Sequence, residues 1–120
     1  MPNGGIQVNL SHVDGLALTT VRGELDLASA DELNAVLDNV ASEEPVILDL
    51  SAVEFMDSSG LAVLLRQSMR RREAGGALHI RQPSAPVLRL LEFCCLEHLL
   101  EPERAAAPPR RRRAFRRPKV

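Results

Sequence analysis

The sequence predicts an α/β domain: a mixed β-sheet of four to five strands, opened by an N-terminal antiparallel hairpin and covered by about three α-helices. Two stretches carry that expectation. Val46-Ile47-Leu48-Asp49-Leu50 is an apolar run interrupted only by Asp49, with the length and branching of a strand buried on both faces. Upstream, Ile6, Val8 and Leu10 alternate with polar residues, Asp14-Gly15 marks a tight turn, and Leu16 to Val21 reads as the returning strand.

The other elements follow in chain order. Gly23-Glu24-Leu25-Asp26 leaves the second strand, a helix opens at Ala28 or Ser29, and Ala30, Leu33, Leu37, Val40 and Ala41 form its apolar stripe. Glu43-Glu44-Pro45 leads into the central strand at Val46, and a short connection follows Leu50. Asp57 suits a helix N-cap, because its carboxylate can accept from the free N–H groups of the first turn. Ser58 and Ser59 then take the first two helical positions. Leu61, Leu64, Leu65, Ser68 and Arg72 recur at the spacing of one helical face. Gly75-Gly76 stops that helix, and Ala77 to Ile80 is a short strand. Ser84 caps a third helix with Pro86 tolerated in its first turn, and Val87, Leu90, Leu91 and Cys94 face the core. His98 to Glu101 is read as a last short strand.

Charge divides the chain in two. Residues 1–103, the predicted domain, hold seven basic and sixteen acidic groups, a net of −9. Residues 104–120 hold eight basic groups and no acid; with their prolines and single Phe they cannot build a buried face, so a disordered basic tail is expected. An acidic domain is a poor surface for nucleic acid, so no direct DNA contact is expected of it. Anionic lipid, nucleic acid and the acidic domain itself are all compatible with the tail, and its partner is left unknown.

Several function classes drop out. No stretch reaches the apolar length of a membrane span, and the N-terminus lacks a basic-then-apolar leader, which together predict a cytoplasmic protein. Cys94 and Cys95 are adjacent and suggest no disulfide framework. His12, His79 and His98 show neither zinc-ligand spacing nor a pattern that would bring a base to a serine nucleophile, and no G-x-S-x-G elbow is present. No enzyme, metal or cofactor is expected. Arg70-Arg71-Arg72 reads as a last helical turn complementing the macrodipole, with a partner-binding patch as the alternative.

Val21-Arg22-Gly23-Glu24-Leu25-Asp26, Val46-Ile47-Leu48-Asp49-Leu50 and Phe55-Met56-Asp57-Ser58-Ser59-Gly60-Leu61 together resemble the signature segments of the STAS domain, in its bacterial anti-sigma-factor antagonist type. The resemblance spans about residues 6–101. It implies a partner switch in which the antagonist binds an anti-sigma-factor serine kinase and so releases a sigma factor. The kinase then phosphorylates the first Ser of D-S-S-G, here Ser58, and a PP2C-type phosphatase resets the system. The implied partner surface comprises Asp26, Asp57, Ser58, Ser59 and Gly60. Two departures stand out: Cys95-Leu96 replaces the family's Gly-Leu after the third helix, and residues 102–120 carry no amphipathic fourth helix. Gly60 has a reading of its own, since the missing Cβ would let a partner backbone approach. The competing functions are a non-switching docking subunit of a lipid-transport or stress-sensing complex, and a nucleic-acid binder acting through the Arg tail.

Overall fold

The computed structural model describes residues 5–102, and the basic segment 104–120 lies outside them. Four strands, three helices and a 3-10 turn follow in the order β1 (Ile6–Val13), β2 (Leu16–Leu25), α1 (Leu27–Asp38), β3 (Val46–Met56), α2 (Ser58–Glu73), β4 (Leu78–Arg81), α3 (Ala85–Phe93) and Glu97–Leu99. The sheet order is β1-β2-β3-β4. The β1–β2 pair is antiparallel, and β2–β3 and β3–β4 are parallel. Asp14 and Gly15, both at positive φ, make the two-residue hairpin turn that matches strand twist.

One face of the sheet is dry. Ala17, Thr19, Val21 and Leu25 of β2, Val46, Leu48, Leu50, Val53 and Met56 of β3, and Leu78 and Ile80 of β4 are buried. The apolar residues of that set join one cluster with Leu33 and Leu37 of α1, Leu61 and Leu64 of α2, and Val87 and Leu91 of α3. Ile47, though buried, lies outside the cluster. Its cross-strand neighbours Leu18 and His79 share the opposite face, so the molecule is a two-layer sandwich.

The central strand is longer than its apolar run. The expected connection after Leu50 is absent, and β3 continues to Met56. Registers Thr20↔Asp49 and Arg22↔Ala52, then Gly23↔Val53 and Glu24↔Phe55, each give β3 one extra residue. These are two bulges, and they move the buried positions from Leu50 to Val53 to Met56, three apart instead of two. At the first bulge Asp49 Oδ1 accepts from the Ser51 N–H at 2.9 Å. On the other side of the ladder, Gly23-Glu24-Leu25 does not leave β2 but completes it. Gly23 sits at φ +109, and a Cβ there would lie 2.3 Å from the Gly5 carbonyl oxygen.

Four further expectations are corrected. Helix α1 begins at Leu27, one or two residues early, because Asp26 rather than a serine is its N-cap. Ser84 occupies the N-cap of α3 but makes no capping bond, its buried Oγ lacking a partner among the described residues. Cys94 and Ala41 are exposed, since each lies past the end of its helix, where the chain has turned away from the core. The segment from His98 to Glu101 is not a strand: it continues the 3-10 turn and touches the sheet by a single bridge, Ile80↔Leu100. Glu101 holds that end in place, donating its N–H to the Ile80 carbonyl at 2.9 Å and accepting both Arg81 Nε (3.1 Å) and Nη2 (3.0 Å).

Arg71 was missed by the charge-run reading. It is 1% exposed, inside the α1–α2 interface. Nη1 donates to the Ala41 carbonyl at 2.8 Å, and Nη2 to those of Leu37 and, at 3.3 Å, Val40. The guanidinium therefore caps the C-terminal end of α1 from the neighbouring helix, adding a charged donor to the Leu37 and Ala41 carbonyls, which also accept from the Val40 and Glu44 N–H groups. Burial, then the neighbouring Arg70 charge, lower its pKa.

Candidate functional site at the paired helix starts

Parallel pairing places the ends of β2 and β3 side by side, with Leu25 opposite Met56. The residue after each is an aspartate, and each aspartate caps the helix that follows. Asp26 Oδ1 accepts from the N–H groups of Ala28 (3.1 Å) and Ser29 (3.2 Å). Ser29 completes a capping box: its Oγ accepts from the Asp26 N–H at 3.0 Å and donates to the Glu24 carbonyl at 2.6 Å. Asp57 Oδ1 accepts from Ser59 N–H at 2.8 Å and Gly60 N–H at 3.4 Å. A further bond, Asp57 N–H to the Leu25 carbonyl at 3.2 Å, ties the two helix starts together. Two positive helix ends thus open at one end of the sheet, each already answered by a carboxylate.

Ser58 is the first residue of α2 and is exposed; its hydroxyl has no hydrogen-bond partner among the described residues. Ser59, half-buried, contributes its N–H to the Asp57 cap. Gly60 turns inward. A Cβ on it would lie 2.7 Å from the Leu25 carbonyl oxygen, 2.8 Å from Leu25 Cγ and 2.9 Å from Met56 Cγ. The missing side chain therefore seats α2 on the end of the sheet, and the expectation that it makes room for a partner backbone is corrected to that internal role. Asp26, Asp57, Ser58 and Ser59 stand together on the rim.

Apolar side chains surround this rim. Leu27 is 77% exposed at the first position of α1, and Phe55 is 48% exposed just before the Asp57 cap. Phe55 continues into a shallow groove of about 670 Å³ beside α3, whose wall includes Pro86, Leu90 and Phe93. Phe93 is 87% exposed. The signal for Leu27 was present in the sequence, as an apolar residue off the α1 stripe. Phe55 was hidden because the β3 bulges reverse the phase of its neighbours.

The three histidines do not approach Ser58. His12 Nε2 lies 3.1 Å from Glu44 Oε2, and His79 and His98 line a small cleft along β4 and the C-terminal part of α2. Among the described residues no three His, Cys, Asp or Glu side chains could hold a metal, and no helix is long and apolar enough to cross a membrane.

Comparison with known proteins follows the same residues. The STAS domain family model matches residues 7–107. An anti-sigma F factor antagonist of Paenibacillus polymyxa is 31% identical over 91 residues, covering 73% of this chain and 78% of that protein. The crystal structure of an anti-sigma factor antagonist from Mycobacterium paratuberculosis superposes with a TM-score of 0.66 at 28% identity, covering 79% and 82% of the two chains. SpoIIAA shares the fold: its unphosphorylated form gives a TM-score of 0.69 at 21% identity over 79% of this chain and 86% of that one, and its phosphorylated form 0.64 at 20% over 79% and 89%. The two capped helix starts, on the segments that matched the family's signature, belong to a fold and a sequence now assigned alike: this chain is a member of the STAS domain family, of the anti-sigma-factor antagonist type.

Proposed function

We propose that this protein binds an anti-sigma-factor serine kinase through the rim around Ser58, thereby releasing a sigma factor, and that phosphorylation of Ser58 by that kinase ends the interaction. A PP2C-type phosphatase returns the protein to its binding form. The observation that carries the proposal is the free, exposed Ser58 hydroxyl at the start of α2, next to the Asp57 cap. Support comes also from the relatives' description as anti-sigma factor antagonists and from the existence of a phosphorylated form of SpoIIAA.

The physics of the switch lies in a contest between two effects. A phosphate adds about −1.5 to −2 charges at neutral pH. At the N-terminus of α2 the macrodipole favours it by about 0.3–1 kcal/mol, so the helix survives. At the interface the balance is reversed. Asp57 already supplies an anion to the Ser59 and Gly60 N–H groups, and Asp26 does the same for α1. A partner surface fitted to a neutral hydroxyl and to Leu27 and Phe55 would have to bury a dianion beside two carboxylates. An uncompensated buried charge costs about 3–5 kcal/mol, and every 1.4 kcal/mol is about tenfold in affinity. Repulsion at the contact outweighs stabilisation of the helix. Asp26, Asp57, Ser58 and Ser59 form the contact itself, and Gly60 serves it by seating the helix that presents Ser58.

Incubation with the cognate anti-sigma-factor kinase and ATP, followed by peptide mass spectrometry, tests the site. The expected result is one phosphate, on Ser58, absent in Ser58→Ala. Phosphate on Ser59 alone, or none, overturns the assignment.

A further inference from the structure

We propose a second site, an anion site that takes a phosphate group, in the cleft between the C-terminal part of α2, β4 and the Glu97–Leu99 turn. The cleft measures about 200 Å³ and is lined by Ser68, Arg72, Leu78, His79 and His98 together with the Gly76-Ala77 link. Its composition sets it apart from the rest of the domain. Residues 1–103 carry sixteen carboxylates against seven basic groups, yet among the described residues no carboxylate lines this cleft, while one arginine and two of the three histidines do.

The three consecutive arginines of α2 have separate fates. Arg70 pairs with Asp38, and Arg71 is consumed by the α1 carbonyls. The Arg72 side chain makes no hydrogen bond or ion pair among the described residues and borders the cleft. His98 is likewise exposed and unpaired among them. A backbone donor joins these side chains. Along β4 the peptide groups alternate sides: the Ala77 carbonyl accepts from Val46 N–H of β3, and the Ile80 carbonyl accepts from Glu101 N–H on the outer edge. Leu78, in phase with Ile80, therefore turns its N–H to the free edge beside the cleft. The C-terminal dipole of α2 opposes an anion here, but its last carbonyls already accept from Ala74, Gly75 and Gly76 N–H groups. A forked guanidinium, imidazoles, a hydroxyl and an edge N–H around a pocket of this size suit a tetrahedral oxyanion: inorganic phosphate, or the head of a small phosphate monoester. The site lies one helix length from Ser58, roughly 21 Å along α2, so its occupancy does not compete with the partner rim.

Titration of the full-length ¹⁵N-labelled protein with sodium phosphate, against sodium chloride at matched ionic strength, tests this. Saturable shifts are expected at the Leu78 amide, the Arg72 Nε–H and the His98 ring, with Ser58 and Asp57 unmoved. Arg72→Gln should weaken binding about tenfold or more, the loss of one charge-assisted contact, whereas Arg22→Gln should leave it unchanged. Repeating the titration with methyl phosphate distinguishes the two forms of the ligand, the tighter ion being the natural chemistry. A linear, non-saturating drift, or an affinity unaltered in a folded Arg72→Gln protein, would overturn the site without bearing on Ser58.

Discussion

Ser58 and Arg71 belong to one helix, yet one offers its polar atom to solvent and the other hides a full charge from it. Both outcomes follow from position. Ser58 stands at the first residue of α2, where the Asp57 carboxylate has already taken the next two N–H groups and the hydroxyl has nothing to cap. Arg71 faces the C-terminal end of α1, where carbonyls with a second lone pair to spare take its donors. Replacing it by Met keeps the apolar stem and removes the charged donor, leaving the Leu37 and Ala41 carbonyls only their backbone partners. A loss of about 1–3 kcal/mol, the worth of hydrogen bonds from a charged donor, is expected, read as a lower thermal midpoint by calorimetry; an unchanged midpoint would show that the guanidinium adds nothing to the backbone bonds. Gly60→Ala probes the neighbouring contact. The added methyl meets the Leu25 backbone carbonyl, which cannot swing aside as a side-chain tip could. Destabilisation of about 1–3 kcal/mol should appear in a urea titration, at constant m-value. Residue-scale features such as these were only half legible in the sequence. Asp57 could be read as a cap because its type and its place before an apolar periodicity coincide. The role of Arg71 could not, because three consecutive arginines look alike until the fold brings one of them against α1.

Helix ends decide more of this structure than helix middles. Both α2 and α3 finish in the same double-bonded turn. In α2 it runs from Gly75 N–H to Arg72 O and Gly76 N–H to Arg71 O, with Gly75 at φ +90. In α3 the equivalent bonds are Cys95 N–H to Glu92 O and Leu96 N–H to Leu91 O, and the left-handed position is held by Cys95 at φ +58. That is the physical meaning of a missing Gly-Leu pair: the turn is kept and the conformational strain is accepted. Cys95→Gly should therefore stabilise the domain by about 1 kcal/mol, raising the midpoint by about 4–8 °C; a decrease would mean the thiol makes contacts worth more than the strain. The α1–α2 seam gives a pH test. Hydrogen bonding from Gln67, then from Arg70, holds the Asp38 carboxyl below its ordinary value of 3.8. A lowered folded-state pKa means stability that is present above the unfolded value and lost as pH falls through the folded one. Wild type should accordingly lose stability relative to Asp38→Asn only below about pH 4, and parallel profiles through that range would contradict the pairing. At this scale the elements that keep their period, namely the hairpin, α2 and β4, were legible from residue pattern alone. The second half of β3 was not, since two bulges break the alternation on which strand recognition rests.

Across the whole molecule, the three helices cover one face of a four-stranded sheet, and the chemistry gathers at the two ends of α2. The Ser58 rim lies where β2 and β3 terminate together, bordered by the exposed Leu27 and Phe55; Arg72 and His98 stand at the other end. Fold class and the rim's polar residues were readable in advance because both follow from local pattern: an apolar run, a cap, a turn. The apolar border and the β4 cleft were not, because each collects residues from segments far apart in the chain. Added negative charge at Ser58 is proposed to act on the partner and not on the fold. Calorimetric titration of an anti-sigma-factor serine kinase with Ser58→Ala and Ser58→Asp, each first checked for an unchanged far-UV spectrum and a stability within about 1 kcal/mol of wild type, measures that claim directly. Wild-type affinity is expected for the alanine variant, and about tenfold or weaker binding for the aspartate variant. Equal affinities of the two folded variants would contradict it.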